Sequence, residues 1–243
     1  MKNYSIVSMS KVYESEDFYK PFLNNGEFID CSDISGINCY ADDIARRTLE
    51  TRLENIPVNS IHFIDSGNFH YLSYLFLSRI EEDFELVLFD KHPDCKAPMF
   101  EEFLSCGGWV REVLFNLPHL KKVYMIGIDE SLLYELDDLY DNRDRVEVIS
   151  SYDLFMGNVL SKTNLPVYIS LDKDVLSEDE VTTNWDQGEM TFAELTKYLE
   201  AILDRREVLG IDICGEPDTH EAGSVFSGNS RINTELLKCI SSV

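Results

Sequence analysis

The fold class that the sequence predicts is a mainly parallel β-sheet wrapped by helices. Short apolar runs of strand length alternate with helical stretches, and most of the runs are bounded by Asp, Gly or Pro. No Pro/Gly/Ser-rich linker, internal repeat or low-complexity tract divides the chain, so residues 1–243 read as a single domain.

Strands are expected at residues 4–8, 60–65, 86–89, 122–128, 146–149, 167–171 and 208–213, each a short apolar run. Residues 42–55 read as a helix stopped by Pro57, with Ile44, Thr48, Leu53 and Ile56 near one face. Residues 129–144 place seven acids among Leu and Tyr and read as a solvated helical face. Residues 191–204 form the clearest helix. There Thr191 and Glu194 make a T-x-x-E capping box, and Phe192, Leu195, Leu199, Ile202 and Leu203 make the stripe that packs on the sheet.

Composition narrows the function. With 44% apolar and 27% charged residues, a 243-residue chain buries a sizeable core. Lys and Arg number 21 against 45 Asp and Glu, a formal net charge of -24 without any basic run, which argues against nucleic acid. Such a surface favours small cationic ligands or divalent metals, although self-repulsion that keeps the protein in solution accounts for most of the charge. No apolar run approaches the roughly eighteen residues that span a bilayer, so no membrane span is expected. The N-terminal stretch lacks an apolar segment with a cleavage site, and a cytoplasmic location is expected. The six cysteines, without a C-x-x-C pair, read as reduced and mostly buried thiols.

In open α/β sheets ligands collect at the carboxyl ends of the strands. Three expected strand ends carry chemistry. One is followed by Asp65-Ser-Gly-Asn-Phe-His70, a Gly-containing turn that delivers an imidazole. Another is followed by Asp90-Lys-His92-Pro-Asp94, and a third by Asp172-Lys-Asp174, whose i, i+2 spacing puts both carboxylates on one side of an extended backbone. Each alone is a common solvated turn. Together, carboxylates and imidazoles in one pocket would repel and lose solvent at great cost unless cations neutralised them. Oxygen and nitrogen ligands without a thiolate suit Mn²⁺ or a similar divalent ion, with enough carboxylates to bridge two.

The order G-x-x-H, D-x-H-x-D, S-x-D-x-D, here Gly67 to His70, Asp90 to Asp94 and Ser170 to Asp174, resembles the arginase/agmatinase (ureohydrolase) family. The resemblance spans about residues 60–217 and includes the strand Gly210-Ile-Asp-Ile. It implies a three-layer α/β/α sandwich of the arginase/deacetylase type with a binuclear manganese centre, two Mn²⁺ per chain. His70, Asp90, Asp94 and Asp172 would hold one ion; His92 and Asp174, with the shared Asp90 and Asp172, would hold the other. Two such ions lower the pKa of a bridging water, and Asp94 is the group placed to take its proton and pass it on. The implied substrate is a small cationic guanidino or amidino compound, or an arginine side chain within a peptide. A homo-oligomer is expected on the resemblance alone.

The chain departs from the family around the metals. Where the family has a proton-shuttling His, this chain reads Leu104-Ser-Cys-Gly-Gly-Trp109, which puts Cys106 there as a relay, a nucleophile or a structural thiol. The family's D-x-x-E, whose Glu meets the substrate cation, becomes Asp212-Ile-Cys-Gly-Glu216, one residue longer. The family's Gly/Pro-rich loop after D-x-D is replaced by residues 182–188, where Trp185 and Asp186 become the expected substrate wall. His220 and Glu221 are candidate replacements for missing polar groups, while His62 and His119 read as structural. Two rivals remain open: a metal-dependent amide hydrolase (deacetylase) with one zinc, and a catalytically weak ligand-binding protein that retains its metals.

Overall fold

The computed structural model describes residues 3–21, 26–98, 102–149, 163–221 and 223–241. Its strands, in chain order, are β1 (Tyr4–Ser8), β2 (Gly26–Asp30), β3 (Tyr40–Ala41), β4 (Ile61–Phe63), β5 (Phe84–Phe89), β6 (Leu104–Ser105), β7 (Leu120–Ile126), β8 (Val146–Ile149), β9 (Val167–Asp172) and β10 (Val208–Cys214). The helices are α1 (Asp43–Leu53), α2 (Leu72–Leu77), α3 (Trp109–Asn116), α4 (Phe192–Leu203) and α5 (Gly223–Ser241). Among the described residues, eight strands form one sheet in the order β2-β1-β4-β10-β9-β5-β7-β8, while β3 and β6 pair separately. Every pairing in the large sheet is parallel.

A parallel sheet covered on both faces needs strands that are apolar throughout, and β5 and β9 are buried at all six positions. Their alternation divides the core in two. Leu86 and Leu88 pack with Leu49 of α1, Leu72 of α2 and Val113 of α3, whereas Val87 and Phe89 pack with Leu199 of α4 and Leu236 of α5. The result is the three-layer α/β/α arrangement.

Several boundaries differ from the sequence reading. β7 ends at Ile126 because Gly127 turns to φ +95° in a spot where a Cβ would lie 2.2 Å from Val175 Cγ2. In α1 Leu53 is buried as expected, as is Ile56 just beyond the helix, but in the first turns Ala45 and Leu49 take the inward places expected for Ile44 and Thr48, and Ile44 is 77% exposed. Residues Glu130–Arg145 form 3-10 turns interrupted at Tyr140, with Glu135, Leu136 and Leu139 turned inward. The capping box of α4 forms as read, with Thr191 Oγ1 accepting from the Glu194 amide and Glu194 Oε2 accepting from the Thr191 amide.

Candidate metal centre

The four central strands β4, β10, β9 and β5 end side by side, and the expected ligands follow three of them. Past β4, Asp65 adopts φ +74° and takes up amide N–H groups from Met9, Ser10 and Ser66 and the Ser10 hydroxyl. That anchored corner leads into a 3-10 turn over Gly67–Phe69, after which His70 points back over the sheet. Past β5, Asp90 Oδ1 accepts from the His92 amide at 2.6 Å, and Asp94 sits at φ +50°, a left-handed conformation that Asp tolerates. Past β9, Asp172 Oδ1 caps the next turn by accepting from the Asp174 amide at 2.9 Å.

These loops bring all six expected ligands together. His70 Nδ1 lies 3.1 Å from Asp94 Oδ2, 3.3 Å from Asp90 Oδ2 and 3.6 Å from Asp172 Oδ2. His92 Nδ1 lies 2.9 Å from Asp174 Oδ2 and 3.5 Å from Asp90 Oδ1. Three sets result among the described residues: His70 with Asp90 and Asp94 and His92 with Asp90 and Asp174, which overlap at Asp90, and His70 with Asp172 and Cys214.

The groups around the ligands fix their orientation. Ser170 donates to Asp212 Oδ1 at 2.6 Å, so the 2.9 Å contact between its oxygen and His70 Nε2 is an N–H donated by the ring. Burial acts downward on His70, yet Cys214 and the carboxylates facing Nδ1 hold the ring well above its ordinary value, so Nδ1 is the atom that would give up its proton to a bound cation. His92 Nε2 meets Asp186 Oδ1 at 3.2 Å, and Asp186 is also held by Lys91 Nζ at 2.6 Å. Trp109 Nε1 donates to Asp94 Oδ2 at 2.8 Å.

Electrostatics expose the tension in this cluster. Burial, then like-charge neighbours, raises the carboxyls of Asp90 and Asp172 above the ordinary range, and the same causes push Asp174 up to about 7. Burial likewise raises Asp94, with its histidine neighbours pulling the other way. For His92, burial acts downward, yet Asp174 and Asp90 hold the ring up to about 12. Two buried atoms, His70 Nδ1 and Asp90 Oδ2, make no hydrogen bond although they approach each other to 3.3 Å. A hard or borderline divalent cation between them satisfies both atoms and cancels the repulsion, so the residues fit the expected ions.

A small cleft opens onto the cluster, lined by Asp90, His92, Asp94, Cys106, Asp172 and Asp174 and flanked by Lys96 and Trp185. Cys106 therefore lies at the cleft wall with Asp94, where the resemblance places it; burial, then Asp94, pushes its thiol up to about 12. Trp185 closes over Gly67, where a Cβ would come within 2.7 Å of its ring, and its Nε1 donates to Asn68 Oδ1 at 3.0 Å. Asp186 pairs with Lys91 and His92 at the rim.

Glu216 is elsewhere. It is fully buried, pairs with the Lys173 ammonium, and accepts from Asn233 Nδ2 at 2.8 Å and Asn229 Nδ2 at 3.2 Å, so it does not line the cleft as expected. The residue before it, Gly215, lies so close to β9 that a Cβ would stand 2.5 Å from Asp172 Oδ1. No side chain fits where the shorter spacing would place one. His220 and Glu221 are exposed, and His62 and His119 lie outside the cluster. Sequence reasoning misses Lys96 and Cys214; the position of Lys96, two residues after Asp94, is the signal that marks it as a cleft residue.

A parallel α/β sheet whose central strands bring two histidines and four aspartates together at its carboxyl edge defines an α/β fold with a candidate metal centre. The chain belongs to the arginase family, whose model matches residues 4–218. It is 31% identical over 238 residues to an uncharacterized protein of Thermotoga maritima, covering 97% of this chain and 88% of that one. Its fold is similar to that of the proclavaminate amidino hydrolase of Streptomyces clavuligerus (TM-score 0.71, 14% identity, covering 98% of this chain and 91% of that one). It is also similar to the arginase of Bacillus caldovelox (TM-score 0.68, 14% identity, covering 98% of each chain).

Proposed function

We propose that this member of the arginase family is a binuclear manganese-dependent hydrolase that cleaves a C–N bond of a guanidino or amidino group. The observation that carries the reading is the pair of overlapping ligand sets sharing Asp90, with buried donor atoms left unsatisfied between them. Two divalent ions bound there supply Lewis acidity and make water a nucleophile near neutral pH.

The chain's own residues supply the rest. His70 and His92 present Nδ1 to the centre while Ser170 and Asp186 hold their Nε2 atoms. Asp94, raised by burial and steadied at Oδ2 by Trp109, takes up a proton and hands it to the departing nitrogen. Cys106 keeps its proton at neutral pH, so it acts as a donor at the cleft wall and not as a nucleophile. Trp185 covers the mouth and limits water, with Asp186 at the rim. Glu216 supports the D-x-D loop through Lys173, between Asp172 and Asp174. The acidic cleft suits a planar cation, either free or as an arginine side chain in a peptide.

Elemental analysis of protein purified without chelator, joined to a urea and amine-release screen over guanidino and amidino compounds and Arg-containing peptides, tests this. Two manganese per chain and manganese-dependent release are expected. One zinc per chain with amide cleavage would favour a deacetylase, and metal without turnover of any of these compounds would favour a binding role.

A further inference from the structure

Alternation along β10 turns Asp212 and Cys214 to the same face of the sheet, the one on which Ser170 and His70 meet. Cys214 is fully buried there, and its Sγ donates to Asp172 Oδ2 at 3.1 Å. That same oxygen lies 3.6 Å from His70 Nδ1, the buried nitrogen that makes no hydrogen bond. One ligand atom each from His70, Asp172 and Cys214 lies within 4.8 Å of the others. Gly215 explains how the sulfur gets so near: at φ +87° and without a Cβ, it lets the end of β10 close down on Asp172.

Resting on the metal-centre reading above, we propose that Cys214 is a sulfur ligand to the ion held by His70, Asp90, Asp94 and Asp172. As the sulfur–metal bond forms, the S–H bond breaks and its proton leaves to solvent, with no change in oxidation state. The two positions of the centre then differ in kind. The one bounded by Asp90, His92 and Asp174 offers only oxygen and nitrogen, whereas the Cys214 position adds a sulfur donor, so with manganese in both positions zinc or cobalt competes for that position alone.

The test is a cobalt titration of the metal-stripped full chain, followed by absorbance. The expected result is visible d–d bands together with a near-ultraviolet sulfur-to-cobalt charge-transfer band that saturates at one equivalent. Cys214→Ser, checked for folding by circular dichroism, should lose the charge-transfer band and keep the d–d bands, while Cys106→Ser should keep both. Cobalt d–d bands in the native chain without charge transfer, or a charge-transfer band that survives Cys214→Ser, overturn the sulfur ligand and leave the metal centre standing. A native chain that takes up no cobalt overturns both. Should Cys214→Ser not fold, a native chain without the band still overturns the sulfur ligand, and a band lost in Cys106→Ser overturns it in favour of Cys106, while a band kept there supports Cys214.

Discussion

Lys173 stands between two of the expected ligands and is completely buried, an uncommon place for a lysine. Its ammonium meets Glu216 Oε1 and donates to Asn233 Oδ1 at 2.9 Å. Around them, burial and then Glu216 push the Glu16 carboxyl up to about 10, so Glu16 is neutral; for Glu216 burial acts upward but Lys173 holds it below its ordinary value. In Lys173→Met the Glu216 charge keeps the amides of Asn229 and Asn233 and the hydrogen bond with protonated Glu16 but loses its countercharge, and breaking such a pair costs ~3–5 kcal/mol. At ~2–4 °C per kcal/mol for a chain of this size, the melting temperature should fall by about 6–20 °C. Urea unfolding followed by circular dichroism at pH 8 and pH 5 measures it. The native Glu216, with its lowered pKa, contributes stability that is complete above about pH 4.5 and is lost only below it. In the variant its pKa rises, so the unfavourable charge is removed by protonation as pH falls. The native contribution is equal at the two pH values, so the rise in the variant alone makes the deficit smaller at pH 5. A loss under ~1 kcal/mol at pH 8, the level of an exposed pair, or an equal deficit at both pH values would refute the reasoning.

Three further outcomes are expected. Burial lowers His62 from 6.5 to about 3, so its contribution is complete above pH 6.5 and is lost as pH falls toward 3, by up to ~1.4 kcal/mol per pH unit; His62→Gln should flatten the urea-midpoint profile over that window. Gly67→Ala puts a Cβ 2.7 Å from Trp185 and 3.0 Å from Asp172 Oδ2, which should cost ~1–3 kcal/mol and shift the fluorescence of Trp185, and an unchanged spectrum and midpoint would contradict the placement of Trp185 as a roof over the cleft. Manganese at about 100 times its dissociation constant should stabilise the chain by ~2.7 kcal/mol for each ion bound, about 5.4 kcal/mol for two, over a chelated sample, read as a higher melting temperature by calorimetry.

The sequence reveals what short-range spacing controls. Asp90, His92 and Asp94 share one strand-end loop, as do Asp172 and Asp174, so their mutual placement is a local matter, and the helix cap at Thr191 is equally local. What depends on distant packing is not legible. The partner of Lys173 lies 43 positions away, and nothing in an aspartate-flanked lysine announces a buried pair. The position of Glu216 turns on how closely Gly215 approaches β9, which no spacing rule contains. β2 escapes notice because an edge strand is half-exposed and lacks the apolar run of the central ones. The first turns of α1 read one residue out because Ile44, though apolar, points to solvent while the small Ala45 packs inside.

The strand order has a consequence for how the chain is made. β9 and β10 fill the middle of the sheet between β4 and β5 but are the last strands to be synthesised. Until β9 emerges one group of strands ends in the open edge of β5, and until β10 emerges another ends in the open edge of β4, both apolar and ready to pair with a neighbouring chain. At ribosomal rates of ~5–20 residues per second, the roughly 151 residues from Phe63 to Cys214 hold the β4 edge open for about 8–30 s, and the roughly 83 from Phe89 to Asp172 hold the β5 edge open for about 4–17 s. The interval in which a nascent chain needs protection from its neighbours is thus set by its topology, and a truncation that removes β10 would make that exposure permanent.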